Sequence, residues 1–450
     1  MGSNNYSNLK EKYAGKKVLV VGLGLLGGGL GVARFFAELG AHVTVTDKKT
    51  ENQLVQSIKR LNHLPINFHL GGHRSDDFIN ADVIFKGPFV PWSLPEIQLA
   101  QKKGIPIEME LSFVAVNTQA KIIGITGTRG KTTTTQMIYE ILKKNQVPIY
   151  LGGSLPNVST IDYLKNLTEK DWLLMELPSW PLSDFHRKKI SPHIAVFTNF
   201  YPDHLNYYKT LNNYLYDKKA VYLYQKPTDY LIANQSLEKI ISKDNPKSQV
   251  IYYRTNDYPG SFDNLRGVHN RENAAAALTV TKIFELNTEK SMEMIKKFAG
   301  VPYRQQIIGK KGQITFINDT TSTTPIATIK AIETFKDKNI VLILGGNSKN
   351  LPTEDLIDQL INVKKIVLLD GSFTKEVLPL LKEKYPEKIT ETYDRLEPAI
   401  KKAYQLAQEI KDETYVLFSP GATSFAMFDN EFHRGDEFNR IVNNLINQHR

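Results

Sequence analysis

Three stretches of this 450-residue chain share one pattern, a β-branched apolar run that stops at glycine. Lys17 to Val21 precedes Gly22, Lys121 to Ile125 precedes Gly127, and Ile340 to Leu344 precedes Gly345. Apolar runs without polar alternation belong to strands covered on both faces, hence to parallel sheets. Helical patterns at Gly31 to Leu39, Thr132 to Lys144, Arg271 to Phe284 and Pro325 to Phe335 lie between them. Strand-helix alternation predicts an α/β fold, and a chain of this length exceeds what one core organises. The natural breaks fall near Asn117-Thr118 and near Gly300-Val301-Pro302, giving segments 1–117, 118–301 and 302–450.

Composition narrows the chemistry. With 41% hydrophobic and 23% charged residues the chain reads as an ordinary folded protein. No apolar run reaches the length of a membrane span, and the polar Met1-Gly2-Ser3-Asn4-Asn5 start lacks a secretory core, so a cytoplasmic protein with no membrane partner is expected. The absence of cysteine throws any catalysis onto Lys, His, Asp, Glu, Arg and bound ions. The net charge of +10 is scattered rather than gathered in a stripe, which predicts no nucleic-acid partner.

Gly22-Leu23-Gly24-Leu25-Leu26-Gly27 fits the G-x-G-x-x-G fingerprint after a strand, and Asp47 ends the next apolar run. Taken alone this predicts an NAD-dependent dehydrogenase, with Asp47 on a ribose hydroxyl, or else a glycine turn serving only close packing. No hydride-transfer constellation accompanies it. The loop is therefore expected to hold a different nucleotide diphosphate, such as a UDP group.

Gly127-Thr128-Arg129-Gly130-Lys131-Thr132-Thr133 follows a strand and opens a helix. Backbone N–H groups, the helix dipole and the Lys131 ammonium would converge there on the phosphates of ATP, with the Thr132 hydroxyl placed for Mg²⁺. The match is to the G-K-T core only, since Ile125 stands where the strict Walker pattern needs glycine. Downstream, Glu176 ends one apolar run, while Asn199 and Asp203-His204 follow another. Carboxylate and imidazole groups at strand ends suit a metal, although each alone reads equally well as a solvated loop residue.

These elements, in this order, resemble the Mur ligase family of ATP-dependent carboxylate-amine ligases. Gly127 to Thr133 is similar to its G-T-x-G-K-[ST]-T loop, Glu176-Leu177 to its E-L-S-S element, and Asn199 with Asp203-His204 to its N-x-x-x-D-H element. Tyr214-Leu215-Tyr216-Asp217-Lys218 looks like the segment carrying the family's carbamylated lysine, with Lys219 adjacent. His269-Asn270-Arg271-Glu272-Asn273-Ala274 matches H-N-x-x-N-A, whose asparagines Asn270 and Asn273 would contact the nucleotide. Arg304 corresponds to the arginine that reaches the transferred phosphate, and Asp319 to the acid that holds the ribose. Three more matches point to the glutamate-adding branch: Gly345 to Lys349, Ser419 to Ser424, and Arg434 to Phe438. There Thr323, Lys349 and Ser424 with neighbouring Phe425 would bind the incoming amino acid, a task needing a cation and short donors.

The resemblance implies an α/β protein of three domains: an N-terminal Rossmann-like UDP-binding domain, a central P-loop ATPase-like domain and a C-terminal Rossmann-like domain. It implies two Mg²⁺ sites, held by Thr132, Glu176, His204 and carbamylated Lys218, and a monomer acting on UDP-N-acetylmuramoyl-L-alanine, glutamate and ATP. The UDP substrate would meet Gly24, Leu25, Leu26, Asp47, Lys48, Pro88, Ser154, Ser179 and His204. Departures gather around the substrate positions. Thr320 to Thr324 stands where the family has S-K-A-T-N, its lysine being Thr321 here; Pro178 replaces the first serine of E-L-S-S. Ser154 lies near the usual substrate asparagine, Phe89 takes the glycine of the S-P-G turn, and Glu431 replaces a phenylalanine, with Phe432 alongside. An enzyme of this type using L-glutamate or another amino acid is the alternative these changes suggest.

Overall fold

The computed structural model describes residues 3–447 apart from 24–27, 156–157, 264, 266, 268, 350, 425–426 and 429. Each glycine-terminated run becomes an interior strand of its own sheet. The first sheet contains β1 (Lys17–Val21), β2 (His42–Asp47), β3 (Ile66–Leu70), β4 (Val83–Lys86) and β5 (Ile107–Glu108) in the order β3-β2-β1-β4-β5, every pair parallel. The second contains β6 (Lys121–Thr126), β7 (Ile149–Gly153), β8 (Trp172–Glu176), β9 (Ile194–Phe197), β10 (Tyr230–Asn234) and β11 (Gln249–Tyr253), ordered β11-β10-β9-β6-β8-β7 and again parallel throughout. In the third, β12 (Gln306–Lys311), β13 (Ile314–Asn318), β14 (Asn339–Gly345), β15 (Lys365–Leu369), β16 (Ile389–Tyr393) and β17 (Thr414–Phe418) are ordered β12-β13-β17-β14-β15-β16, with only the β12-β13 hairpin antiparallel.

The apolar runs are continuous because helices cover both faces of each sheet. Along β1, Val18 and Val20 join one hydrophobic cluster while Leu19 and Val21 join another. Along β14, Leu342 and Leu344 pack on one side, Val341 and Ile343 on the other. The helices sit close to their expected places, at Gly28–Glu38, Lys131–Lys144, His269–Ile283 and Pro325–Thr334.

The chain forms two compact units, one of Met1–Gly260 with Val268–Ile295 and one of Ser261–Gly267 with Lys296–Arg450. In the first unit, two sheets share a core. Phe113, from the helix Glu110–Asn117 that links them, packs its ring 5.8 Å from Phe36 and 5.1 Å from Phe85. The same cluster continues into Ile161, Leu164 and Leu173 around the second sheet. Polar ties cross the same seam. Lys165 reaches Glu38 at 2.6 Å, Arg34 pairs with Asp162, and Lys188 with Glu108. Glu110 accepts from the Ile161 amide at 3.1 Å, and burial pushes its carboxyl up to about 8. Among the described residues no helix is long and apolar enough to cross a membrane.

Candidate active site

The carboxyl ends of β8, β6 and β9 lie side by side, because Ile125 pairs with Glu176 on one flank and Thr126 with Phe197 on the other. In open parallel sheets this edge is where ligands bind. The loop after β6 turns through Gly127 at φ +146° and Gly130 at φ +80°, the left-handed region that favours glycine. A methyl group at Gly127 would overlap the Thr198 hydroxyl, and one at Gly130 the side-chain oxygen of Asn273. The loop is therefore clamped between β9 and the helix His269–Ile283. Its backbone is pinned by the Thr128 amide donating to the Asn199 carbonyl (3.0 Å) and the Arg129 amide to the Asn199 side-chain oxygen (2.8 Å). The Thr198 hydroxyl donates to the Arg129 carbonyl at 2.6 Å. Gly130 offers no side chain to cap the helix Lys131–Lys144, so the first-turn amides point toward the loop mouth, where an anion is favoured. Thr132 and Thr133 stand half-buried in that first turn.

Two ammonium groups bind the same loop. Lys131 Nζ donates to the carbonyls of Gly127 (3.0 Å) and Thr128 (3.1 Å), and Lys218 Nζ to that of Gly127 at 2.8 Å. Lys218 is 1% exposed and lies over the Tyr214 ring at 4.7 Å. Burial, then the charge of Lys131, lowers its proton affinity well below that of an ordinary lysine. Next to it, burial raises the Asp217 carboxyl to about 6. His204, at φ +52°, packs its ring 4.7 Å from Trp180, and burial holds its proton affinity down.

Glu176 is 6% exposed, and its Oε2 has no hydrogen-bond partner among the described residues. A buried carboxylate oxygen left open in this way suits a cation. Among the described residues no trio of His, Asp and Glu side chains gathers closely enough to hold a metal alone. Any ion at Glu176 therefore draws its remaining ligands from hydroxyls, phosphates or other groups. Asn273 and Asn270 are both buried and bonded to each other at 3.2 Å, with Asn273 also accepting from Thr134 at 3.3 Å.

At the first sheet, Asp47 accepts from the Leu23 amide and the Lys49 amide, each at 2.9 Å. Its carboxylate thus braces the mouth of the glycine loop. Gly24, Leu25 and Leu26 lie outside the described residues. Lys48, Pro88 and Ser154 are exposed, whereas Ser179 is buried.

In the second unit, Asp319 accepts from Ser322 (2.6 Å) and Ser419 (2.7 Å), and burial raises its carboxyl to about 6. Arg304 is exposed. Lys349 Nζ donates to the Thr323 hydroxyl at 2.9 Å. A two-way backbone bridge between Asn347 and Thr423 brings Ser424 beside them. The Ser424 hydroxyl is buried without a partner among the described residues, and Phe425 lies outside them. Beneath these loops Arg434, 1% exposed, donates from Nε to the Thr320 hydroxyl (2.9 Å) and from Nη2 to the carbonyls of Thr320 (2.8 Å) and Ala422 (3.2 Å).

Sequence reasoning placed the loop, Glu176, His204 and Lys218 together, and the fold gathers them at one sheet edge. It gave no role of their own to Thr198, Tyr214, Asp217 or Arg434. Tyr214 and Asp217 lay in the segment matched around Lys218 and Arg434 opened the match Arg434 to Phe438, whereas Thr198 carried no signal.

Comparison with known proteins agrees with this geometry. Residues 16–108 match the family model described as Mur ligase MurD-like, N-terminal domain, and residues 125–263 match Mur ligase middle domain. The chain is 34% identical to the UDP-N-acetylmuramoylalanine--D-glutamate ligase of Roseiflexus sp. (strain RS-1), over 95% of this chain and 98% of that one. It is 32% identical to the same-named enzyme of Bdellovibrio bacteriovorus, over 97% and 98%. Among solved structures, the UDP-N-acetylmuramate-alanine ligase of Thermotoga maritima superposes with a TM-score of 0.60 at 18% identity, over 96% of this chain and all of that one, which shows the shared fold. Three successive parallel-type sheets, a clamped glycine loop with an open buried carboxylate beside it, and relatives above 30% identity over nearly the whole of both chains leave one conclusion: this chain belongs to the Mur ligase family.

Proposed function

We propose that this chain is an ATP-dependent ligase that joins D-glutamate to UDP-N-acetylmuramoyl-L-alanine, a step of peptidoglycan synthesis. The observation that carries this reading is the meeting of the phosphate loop, Glu176, His204 and Lys218 at the carboxyl edge of one sheet. The amides of Gly127 to Thr132 and the Lys131 ammonium hold the ATP phosphates. The alanyl carboxylate attacks the γ-phosphorus, ADP leaves, and an acyl phosphate forms. The glutamate amine then attacks the acyl carbon, phosphate leaves, and the amine proton passes to solvent. Positioning and charge stabilisation dominate such transfers. Mg²⁺, when bound, would neutralise phosphate charge; Thr132 and Glu176 would hold one ion, and His204 with a carbamylated Lys218 would hold another. A lysine carbamate needs a neutral amine, which the lowered proton affinity of Lys218 makes accessible.

Within this reading, residues 1–117 take UDP through the loop braced by Asp47, 118–301 take ATP, and 302–450 take the amino acid through Thr323, Lys349 and Ser424. The enzyme acts as a cytoplasmic monomer. Arg304 and Asp319 serve the nucleotide from the last segment.

Phosphate release from Mg²⁺-ATP, measured with UDP-N-acetylmuramoyl-L-alanine and either D-glutamate, L-glutamate or no amino acid, tests the proposal. Release with D-glutamate alone is expected. Release with L-glutamate moves the specificity, as the Thr320 to Thr324 departure suggests, and no stimulation by any acceptor sinks it. Lys131→Ala should lower turnover by on the order of 10²–10³-fold.

A further inference from the structure

Phe89 is the most exposed large apolar side chain among the described residues, at 72%, yet its backbone is firmly held. It sits in the loop after β4, whose Val90 amide donates to the Gly87 carbonyl at 3.1 Å. Buried Lys86 donates to the Val90 carbonyl at 2.8 Å and lies 4.4 Å above the Trp92 ring. The Arg187 guanidinium lies 3.9 Å from the same ring, and the Trp92 indole N–H donates to the Ser183 hydroxyl at 3.1 Å. Trp92 is thus gripped by cations and by the helix Ser179–Lys188 of the second sheet. The loop cannot swing away to bury Phe89 elsewhere.

The Phe89 ring meets Trp180 edge-on at 4.9 Å, and Trp180 in turn lies 4.7 Å from His204. The indole N–H of Trp180 is shielded from solvent and has no acceptor among the described residues. An exposed phenyl ring forgoes the stabilisation of burial, and a shielded, unpaired donor carries an uncompensated desolvation cost. Both penalties vanish for a ligand that offers an apolar face to the rings and, as Phe89 turns aside, a carbonyl oxygen to the indole N–H. The rings run from the end of β4 toward His204, whose imidazole feels the charge of Lys131 in the loop after β6.

Resting on the function proposed above, we infer that Phe89 and Trp180 form an aromatic wall for the acylated amino-sugar and lactoyl-alanyl portion of the nucleotide substrate. Sugar C–H faces and the acetamido methyl group are the apolar surfaces that such rings stack on. The wall is a specificity element, since UDP alone lacks the acylated sugar and lactoyl-alanyl surfaces it would stack on.

Binding of UDP-N-acetylmuramoyl-L-alanine and of UDP alone, measured by calorimetry on the full chain and three variants, tests this. Phe89→Ala should weaken the full substrate about tenfold while leaving UDP unchanged, a loss of the size expected for one stacked ring. Phe89→Tyr should restore most of it. Trp180→Phe, which keeps a ring and removes the N–H, should cost about threefold to tenfold for the full substrate only. If Phe89→Ala bound the full substrate as wild type does, or lost both ligands equally, the wall would be wrong. A wild-type chain that binds UDP but neither binds nor turns over the longer ligand overturns the proposed function along with it. Wild-type turnover with an indifferent Phe89→Ala sinks the wall alone.

Discussion

Two buried cations, one in each compact unit, face the same physical problem and resolve it differently. Lys218 and Arg434 are each 1% exposed, and the hydrogen-bond partners of both among the described residues are uncharged oxygens. Lys218 has a backbone carbonyl and a tyrosine ring for company. Burial and its neighbour Lys131 therefore push it toward the neutral amine. Arg434 spreads its charge over a planar fork whose donors are taken by the Thr320 and Ala422 carbonyls and the Thr320 hydroxyl. Burial lowers it only to about 10, so it stays charged at neutral pH. A buried lysine is available for chemistry, whereas a fully bonded arginine is a strut. The first sits under the phosphate loop, and the second ties the Thr320 loop to the Ala422 loop, on which Thr323 and Ser424 stand.

The contrast breaks most sharply at Lys218. Lys218→Ala should lower kcat by on the order of 10²–10³-fold, and a short carboxylic acid should partly restore it by standing in for the proposed carbamate. Lys218→Arg should be equally inactive, because a guanidinium keeps its proton and cannot accept CO2. An active Lys218→Arg enzyme would mean that charge alone is needed there. For Arg434 the expectation reverses, with stability lost along with glutamate affinity. Arg434→Met leaves the Thr320 and Ala422 carbonyls without donors, which should cost about 2–4 kcal/mol in urea denaturation. It should also raise the KM for glutamate about tenfold, through misplaced loops, with the KM for ATP unmoved. Equal rises in both constants would deny the strut its local role.

Much of this was legible in the sequence because it lies in contiguous residues. Uninterrupted apolar runs ending at glycine marked β1, β6 and β14 to within a residue or two, and the G-K-T loop sits, as its neighbours in the chain indicated, between a strand and a helix. What could not be read depends on distant contacts. Only the family resemblance set Lys218 apart from any other helix-surface lysine, and its contact with the carbonyl of Gly127, 91 residues earlier, had no trace in the local sequence. Arg434 met Thr320 and Ala422 only through the third sheet's strand order, which brings β17 between β13 and β14. Asp47 carried the right spacing for a ribose ligand, but its structural work of holding the amides of Leu23 and Lys49 was invisible. The merging of the first two sheets into one core rests on Phe113 and its neighbours, whose spacing shows a buried helix but not what it is buried against.

The smallest expected effect concerns a buried anion in the same unit as Arg434. Asp319 is 3% exposed and takes hydrogen bonds from two serine hydroxyls and the Gln305 amide, yet burial outweighs them and raises its carboxyl from the usual range to about 6. A raised acid holds its proton in the folded chain over a range in which the unfolded chain has released it. The contribution of Asp319 to stability is then fully present below about pH 4 and is lost as pH rises through 6, by about 2–3 kcal/mol for a shift of this size. The sign is opposite to that of a carboxylate held by a cation. It follows from the exposed position of Arg304, whose charge is too well solvated to compensate for the burial. Asp319→Asn cannot titrate, so the difference in stability between wild type and this variant should shrink or reverse between pH 4 and pH 7, measured as urea midpoints at matched ionic strength. A constant difference across that range would mean that the two serines and the amide already hold the carboxylate ionised, and that Asp319, like Arg434, is a satisfied charge.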